Sequence, residues 1–176
     1  MRLEGQEIVE LTLQQAYDRL NDPRALRACT PGLERLDPRD ADHYDAVLEV
    51  KLPAITGRFE GTLEYLERRP TDQIKLRLQG KGPIGFVDGE VTLSLSTVEE
   101  GTAVSYVADV QIGGQVARLG QRMLSGVTRE MAGQFFRLFE DWRPEAPDEK
   151  VAPAATTSFF QLVWGLLLRL LGLRRD

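Results

Sequence analysis

The chain has 176 residues, a formal net charge of −5 and one cysteine. That length fits one domain plus an appendage, and a domain of this size buries a core without staples. The lone Cys29 leaves neither a disulfide framework nor a thiolate metal site within one chain, and an acidic body without a Lys/Arg stripe argues against a nucleic-acid partner.

Met1 to Leu11 predicts a strand, with Leu3, Ile8, Val9 and Leu11 among polar residues. It opens without a basic and then apolar signal sequence, so the expected location is intracellular. Thr12 and Gln15 form a capping-box pattern at the head of a short helix, which Asn21-Asp22-Pro23 stops. Pro23 then starts a second short helix, PRALRAC, ending at Thr30-Pro31-Gly32.

From Leu33 to Ile112 the dominant period is two. Tyr44, Ala46, Leu48, Val50 and Leu52 alternate with charged residues, as do Ile55, Gly57, Phe59, Gly61, Leu63 and Tyr65. Ile74, Leu76 and Leu78 share a phase. So do Val87, Val91, Leu93 and Leu95, and then Val104, Tyr106, Ala108, Val110 and Ile112. Turn-rich breaks at residues 69–72, 81–83 and 99–101 separate these runs. The pattern predicts an antiparallel meander of six or seven strands with one wet and one dry face.

After Gly113-Gly114 the period changes to 3.6. Val116, Leu119, Met123, Val127, Met131, Phe135, Leu138 and Phe139 line one side of a helix that runs to about Trp142 and covers the dry face. The fold class is therefore α+β. Gly120, Gly126 and Gly133 in that helix each cost up to about 1 kcal/mol relative to alanine. Close backbone approach or space for a ligand would account for them.

Residues 143–157 contain three prolines and several charges and read as a linker, able to span about 20 Å. The last nineteen residues, SFFQLVWGLLLRLLGLRRD, are too apolar for an ordinary solvated terminus. Their three arginines and one aspartate leave −7 on residues 1–157 when set against the net −5. A helix over 158–173 is about 24 Å long, short of a hydrocarbon core of about 30 Å. That favours an in-plane anchor; docking in a protein groove and a short tilted span are the alternatives. Phe159, Phe160, Trp164, Leu167, Leu168 and Leu171 are the expected membrane or partner contacts, and Arg169, Arg174 and Arg175 can reach lipid phosphates.

Little in the chain suggests catalysis. Gly80 to Gly85 (GKGPIG) follows a strand but precedes another strand, so no helix N-terminus is available for a pyrophosphate. His43 reads as an exposed strand-end histidine, and Cys29 as a core or helix-end thiol. Asp45, Glu49, Glu60, Glu64 and Asp109 fall on the wet phase, leaving Tyr44, Tyr65 and Tyr106 as the polar groups of the dry face. Those hydroxyls either orient a guest or bond backbone at the rim. No catalytic residue and no metal ligand is assigned.

Four segments together, LNDPRALRACTPGLERL (20–36), GRFEGTLEY (57–65), GKGPIGFVDGEVTLSL (80–95) and YVADVQIGGQVARLGQRML (106–124), resemble the CoxG family of carbon monoxide dehydrogenase, within the START-like helix-grip (SRPBCC) superfamily. The resemblance covers about residues 1–142 and is most specific over Gly113 to Arg122. It implies an antiparallel sheet gripping the long helix around a hydrophobic cavity. It also implies an accessory protein, bearing no molybdenum, iron-sulfur or flavin chemistry, that attaches a molybdenum hydroxylase to the membrane and handles a quinone.

The resulting expectation is a non-enzymatic module, residues 1–142, with a quinone or lipid guest among Leu48, Phe59, Leu63, Leu76, Val91, Tyr106, Leu119, Met123, Val127 and Phe135. Its expected place is cytoplasmic, peripheral on the inner face of the cell membrane. The rival readings are a START-like cyclase or hydrolase, which needs an inward carboxylate or histidine, and a structural adaptor with a fully packed interior.

Overall fold

Period-two runs this long leave the chain few options but a sheet. The computed structural model describes residues 1–52 and 55–144. It contains seven strands: β1 (Arg2–Val9), β2 (Leu33–Pro38), β3 (His43–Leu52), β4 (Ile55–Arg69), β5 (Gln73–Gly82), β6 (Gly85–Val98) and β7 (Gly101–Gly114). All neighbours are antiparallel, in the order β1-β7-β6-β5-β4-β3-β2.

Two short helices, α1 (Leu13–Leu20) and α2 (Pro23–Cys29), carry the chain from one edge of the sheet to the other. Thr12 caps α1 as its sequence predicts: its hydroxyl accepts from Gln15 N at 3.2 Å, and Gln15 Oε1 accepts from Thr12 N at 3.0 Å. Asp22 caps α2, with Pro23 in the first turn.

The long helix departs from the expected continuous one. Val116–Leu119 is a single 3₁₀ turn, and α3 (Gly120–Asp141) begins only after Gly120 adopts φ +74°. That left-handed backbone, which glycine tolerates, resets the helical phase. The buried face of α3 is Leu124, Phe136 and Phe139, whereas Met123 and Leu138, expected on that face, are about half exposed at 49% and 50%.

α3 rests on β1 at one edge and on α2 at the other, and makes no comparably close approach to β3 through β6. Its C-terminal end is held by the buried Arg19, which donates to Phe139 O at 2.7 Å and Glu140 O at 3.0 Å. The main core gathers there: Val9, Ile74, Leu95, Val104, Phe136 and Phe139. Met1–Pro144 is one compact unit, and among its described residues no helix is long and apolar enough to cross a membrane. The expected tail at 158–176, with Phe159, Phe160, Trp164, Leu167, Leu168 and Leu171, lies outside the described residues, as does the linker beyond Pro144.

Candidate ligand cavity

Strand register lines up small residues where α3 spans the sheet. Leu36, Ala46, Gly61, Gly80, Val87 and Ile112 form one row across six strands, in which Ala46, Gly61 and Gly80 carry at most a methyl group. A Cβ on Gly61 would lie 1.9 Å from the Gln79 carbonyl oxygen, so no side chain fits there. At Gly80 a Cβ would meet only Val87 Cγ1, at 3.3 Å. Missing side-chain volume under a raised helix leaves a hollow.

That hollow is a half-open cavity of about 440 Å³, within the range of small-molecule sites. Leu48, Val50 and Phe59 wall one side, Leu63 and Leu78 the other, and Leu124, Val127 and Met131 of α3 form the roof. Leu26 and Thr30 from the α2 end close one flank, while Val110, Ile112 and Val116 close the opposite one. Leu78 and Phe86 line it yet remain exposed at 37% and 48%, marking its open side.

Polar groups are sparse. Thr128 spends its hydroxyl on Leu124 O at 2.9 Å. Glu60, Thr62 and Gln79 belong to the outer phase and border the cavity beside Gly61 and Gly80. Glu60 is exposed, as are Asp109 and His43. His43 sits on the outer phase of β3, with Nδ1 2.8 Å from Asp40 Oδ1 and Nε2 3.3 Å from Glu64 Oε1; the Asp40 hydrogen bond raises its pKa. Among the described residues, no three of His, Cys, Asp and Glu converge in a metal-binding group.

The tyrosines of the inner phase serve the fold. Tyr65 donates to Leu20 O at 2.9 Å, and burial pushes its hydroxyl pKa up. Tyr44 packs edge-on to Tyr65. The Tyr106 hydroxyl lies against the backbone at Gly5, where a Cβ would be only 2.2 Å away. Burial also pushes the Cys29 thiol up to about 11.

Of the ten expected cavity residues, Leu48, Phe59, Leu63 and Val127 line the hollow. The other six do not. Leu76 and Tyr106 are buried, and Val91 is packed among them, further along the same inward phases where the sheet is filled. Phe135 stacks on Phe139 at 5.4 Å, within the aromatic cluster. Leu119 closes the 3₁₀ turn, and Met123 faces solvent because Gly120 turns the helix. Gly126 and Gly133 are not sites of tight packing: a Cβ on either meets nothing within 4 Å among the described residues. The lining also includes residues outside the ten, among them Ala46, Val87, Val110 and Ile112 on phases the alternation identifies. Leu26 and Thr30 carry no such signal, because α2 reaches the cavity only through tertiary packing.

The family profile for CoxG, a carbon monoxide dehydrogenase component, matches residues 5–141. Among solved structures, a conserved protein from Geobacillus kaustophilus is similar at 29% identity and TM-score 0.76, over 80% of this chain and 93% of that one. A protein from Chromobacterium violaceum shares the fold at 18% identity and TM-score 0.56, over 79% and 97% of the two chains. One from Rhizobium leguminosarum does so at 14% identity and TM-score 0.63, over 81% and 95%. No curated protein matches the chain.

Proposed function

Because the chain belongs to the CoxG family of carbon monoxide dehydrogenase, we propose that it is a non-enzymatic accessory protein that holds a hydrophobic guest, a quinone or a lipid, and recruits a molybdenum hydroxylase of the carbon monoxide dehydrogenase type to the membrane. The observation that carries this reading is the half-open apolar cavity of about 440 Å³ between sheet and α3. Each 100 Å² of apolar guest surface removed from water there contributes about 2.5 kcal/mol, a sizeable sum for a prenylated or acylated molecule even after association costs.

The rival readings have less support. A fully packed adaptor requires no hollow larger than about one water, which this interior exceeds many times over. An enzyme needs a sheltered acid or base, and His43, Glu60 and Asp109 are all exposed. The apolar tail at 158–176 gives the membrane part of the proposal its motive in sequence, since a surface-lying anchor would hold the cavity where such guests dissolve.

Native mass spectrometry of the full chain purified from its own host, followed by organic extraction, tests the guest. The expected result is one quinone or lipid per chain. A protein that arrives empty and takes up no added quinone or phospholipid refutes the carrier role.

A further inference from the structure

The cavity has a neighbour. On the far side of Leu124 lies a recess of about 450 Å³, open to solvent and lined by Met1, Gln111, Ala117, Gly120 and Gln121. Three residues belong to both hollows: Val110, Ile112 and Leu124. They form the partition between them.

The rim of the recess is tied by hydrogen bonds, and the partition is not. Met1 is strapped to β7 in both directions, its ammonium donating to Val110 O at 2.7 Å and its carbonyl accepting from Val110 N at 2.8 Å. Gln121 Nε2 donates to Arg2 O at 3.3 Å, linking the first turn of α3 to β1. Across the partition itself stand only apolar side chains, Leu124 at 6% exposure against Val110 at 9% and Ile112. Gly120 adds no side chain beside it, and a Cβ there would meet nothing within 4 Å. A leucine between two hollows can change rotamer without breaking a hydrogen bond or uncovering a charge.

We infer that the cavity and the recess are two halves of one passage gated by Leu124, so that the guest is a molecule with one long hydrocarbon chain whose end leaves between Met1 and Gln121. This rests on the carrier reading above and narrows it. A compact guest would fill the first hollow alone; a long single chain uses both, its end emerging between the amides of Gln111 and Gln121.

The test uses the full chain, stripped of guest, and a series of straight-chain fatty alcohols of about ten to about twenty carbons delivered from cyclodextrin, where affinity rises about fourfold for each methylene that leaves water. In the unaltered protein the rise is expected to continue to the longest alcohols. Leu124→Trp, which fills the partition, and Ala117→Trp, which closes the exposed recess without touching the core, are expected to level off several carbons earlier. Ala117→Trp should keep the affinity for the shortest alcohols, so a folding defect in Leu124→Trp does not blunt the test. A plateau at the same chain length in all three proteins overturns the passage and leaves the carrier intact. No binding of any alcohol overturns both.

Discussion

The two halves of α3 cross the same sheet and meet opposite surfaces. Toward its C-terminus Phe135, Phe136 and Phe139 form a cluster with ring centroids 5.0 to 5.7 Å apart, packed with Val9, Ile74 and Val104, which are fully buried. Toward its N-terminus Leu124, Val127 and Met131 roof the cavity above the Ala46, Gly61 and Gly80 row. Aromatic volume at one end and absent volume at the other divide the labour: the packed end holds the fold together, and the hollow end is free to take up a guest. A domain built this way tolerates an empty cavity because its stability is gathered elsewhere.

Substitutions that treat the ends alike should therefore have unlike effects. Phe139→Ala removes a fully buried ring and is expected to cost about 3–5 kcal/mol. Val127→Ala, at the edge of existing space, should cost about 1 kcal/mol or less. Urea denaturation of the two variants measures the gap; equal losses would mean that the hollow end bears as much of the stability as the packed one. Next in size is Arg19→Met. It removes two charge-assisted hydrogen bonds to the last carbonyls of α3, with an expected loss of about 2 kcal/mol in the same assay. Because α3 spans both ends, loosening its C-terminus should also weaken guest binding. Gly80→Val works from the other side. Its Cβ meets only Val87, so stability should stay within about 0.5 kcal/mol while binding falls about tenfold or more, read by guest titration and denaturation together.

The alternating runs suffice to place the strands and the dry face, because burial on one side of a pleated strand leaves its mark residue by residue. Thr12 and Gln15 announce α1 in the same local way. The position of the hollow leaves no such mark. Leu63 and Leu76 share an inward phase, yet one lines the cavity and the other the core. What separates them is the glycine row, and Gly61 faces Gly80 only once β4 and β5 are in register. Periodicity also reads through Gly120 as if the helix were continuous, which brings Met123 and Leu138 onto a face they do not occupy. Cavities arise from relations between strands, and a single sequence displays relations within them.

The smallest expected effect is a null one, and it sharpens the contrast between the apolar interior and the charged exterior. His43 is the chain's one histidine and lies on the outer phase of β3, between Asp40 and Glu64. Asp40 raises its pKa above the ordinary value, so the imidazolium persists to higher pH than in the unfolded chain. A raised pKa contributes stability that is complete below the unfolded value and is lost as pH rises through the folded one. At so exposed a site solvent screens the contribution, and nuclear magnetic resonance titration is the measurement that resolves it; Asp40→Asn should bring the midpoint down. Guest affinity, by contrast, should be flat between about pH 6 and pH 8, since none of the groups bounding the apolar cavity is a histidine. An affinity that follows the His43 titration and becomes flat in His43→Gln would mean that the outer face of β3 and β4 reports into the cavity, and that the two surfaces are not independent.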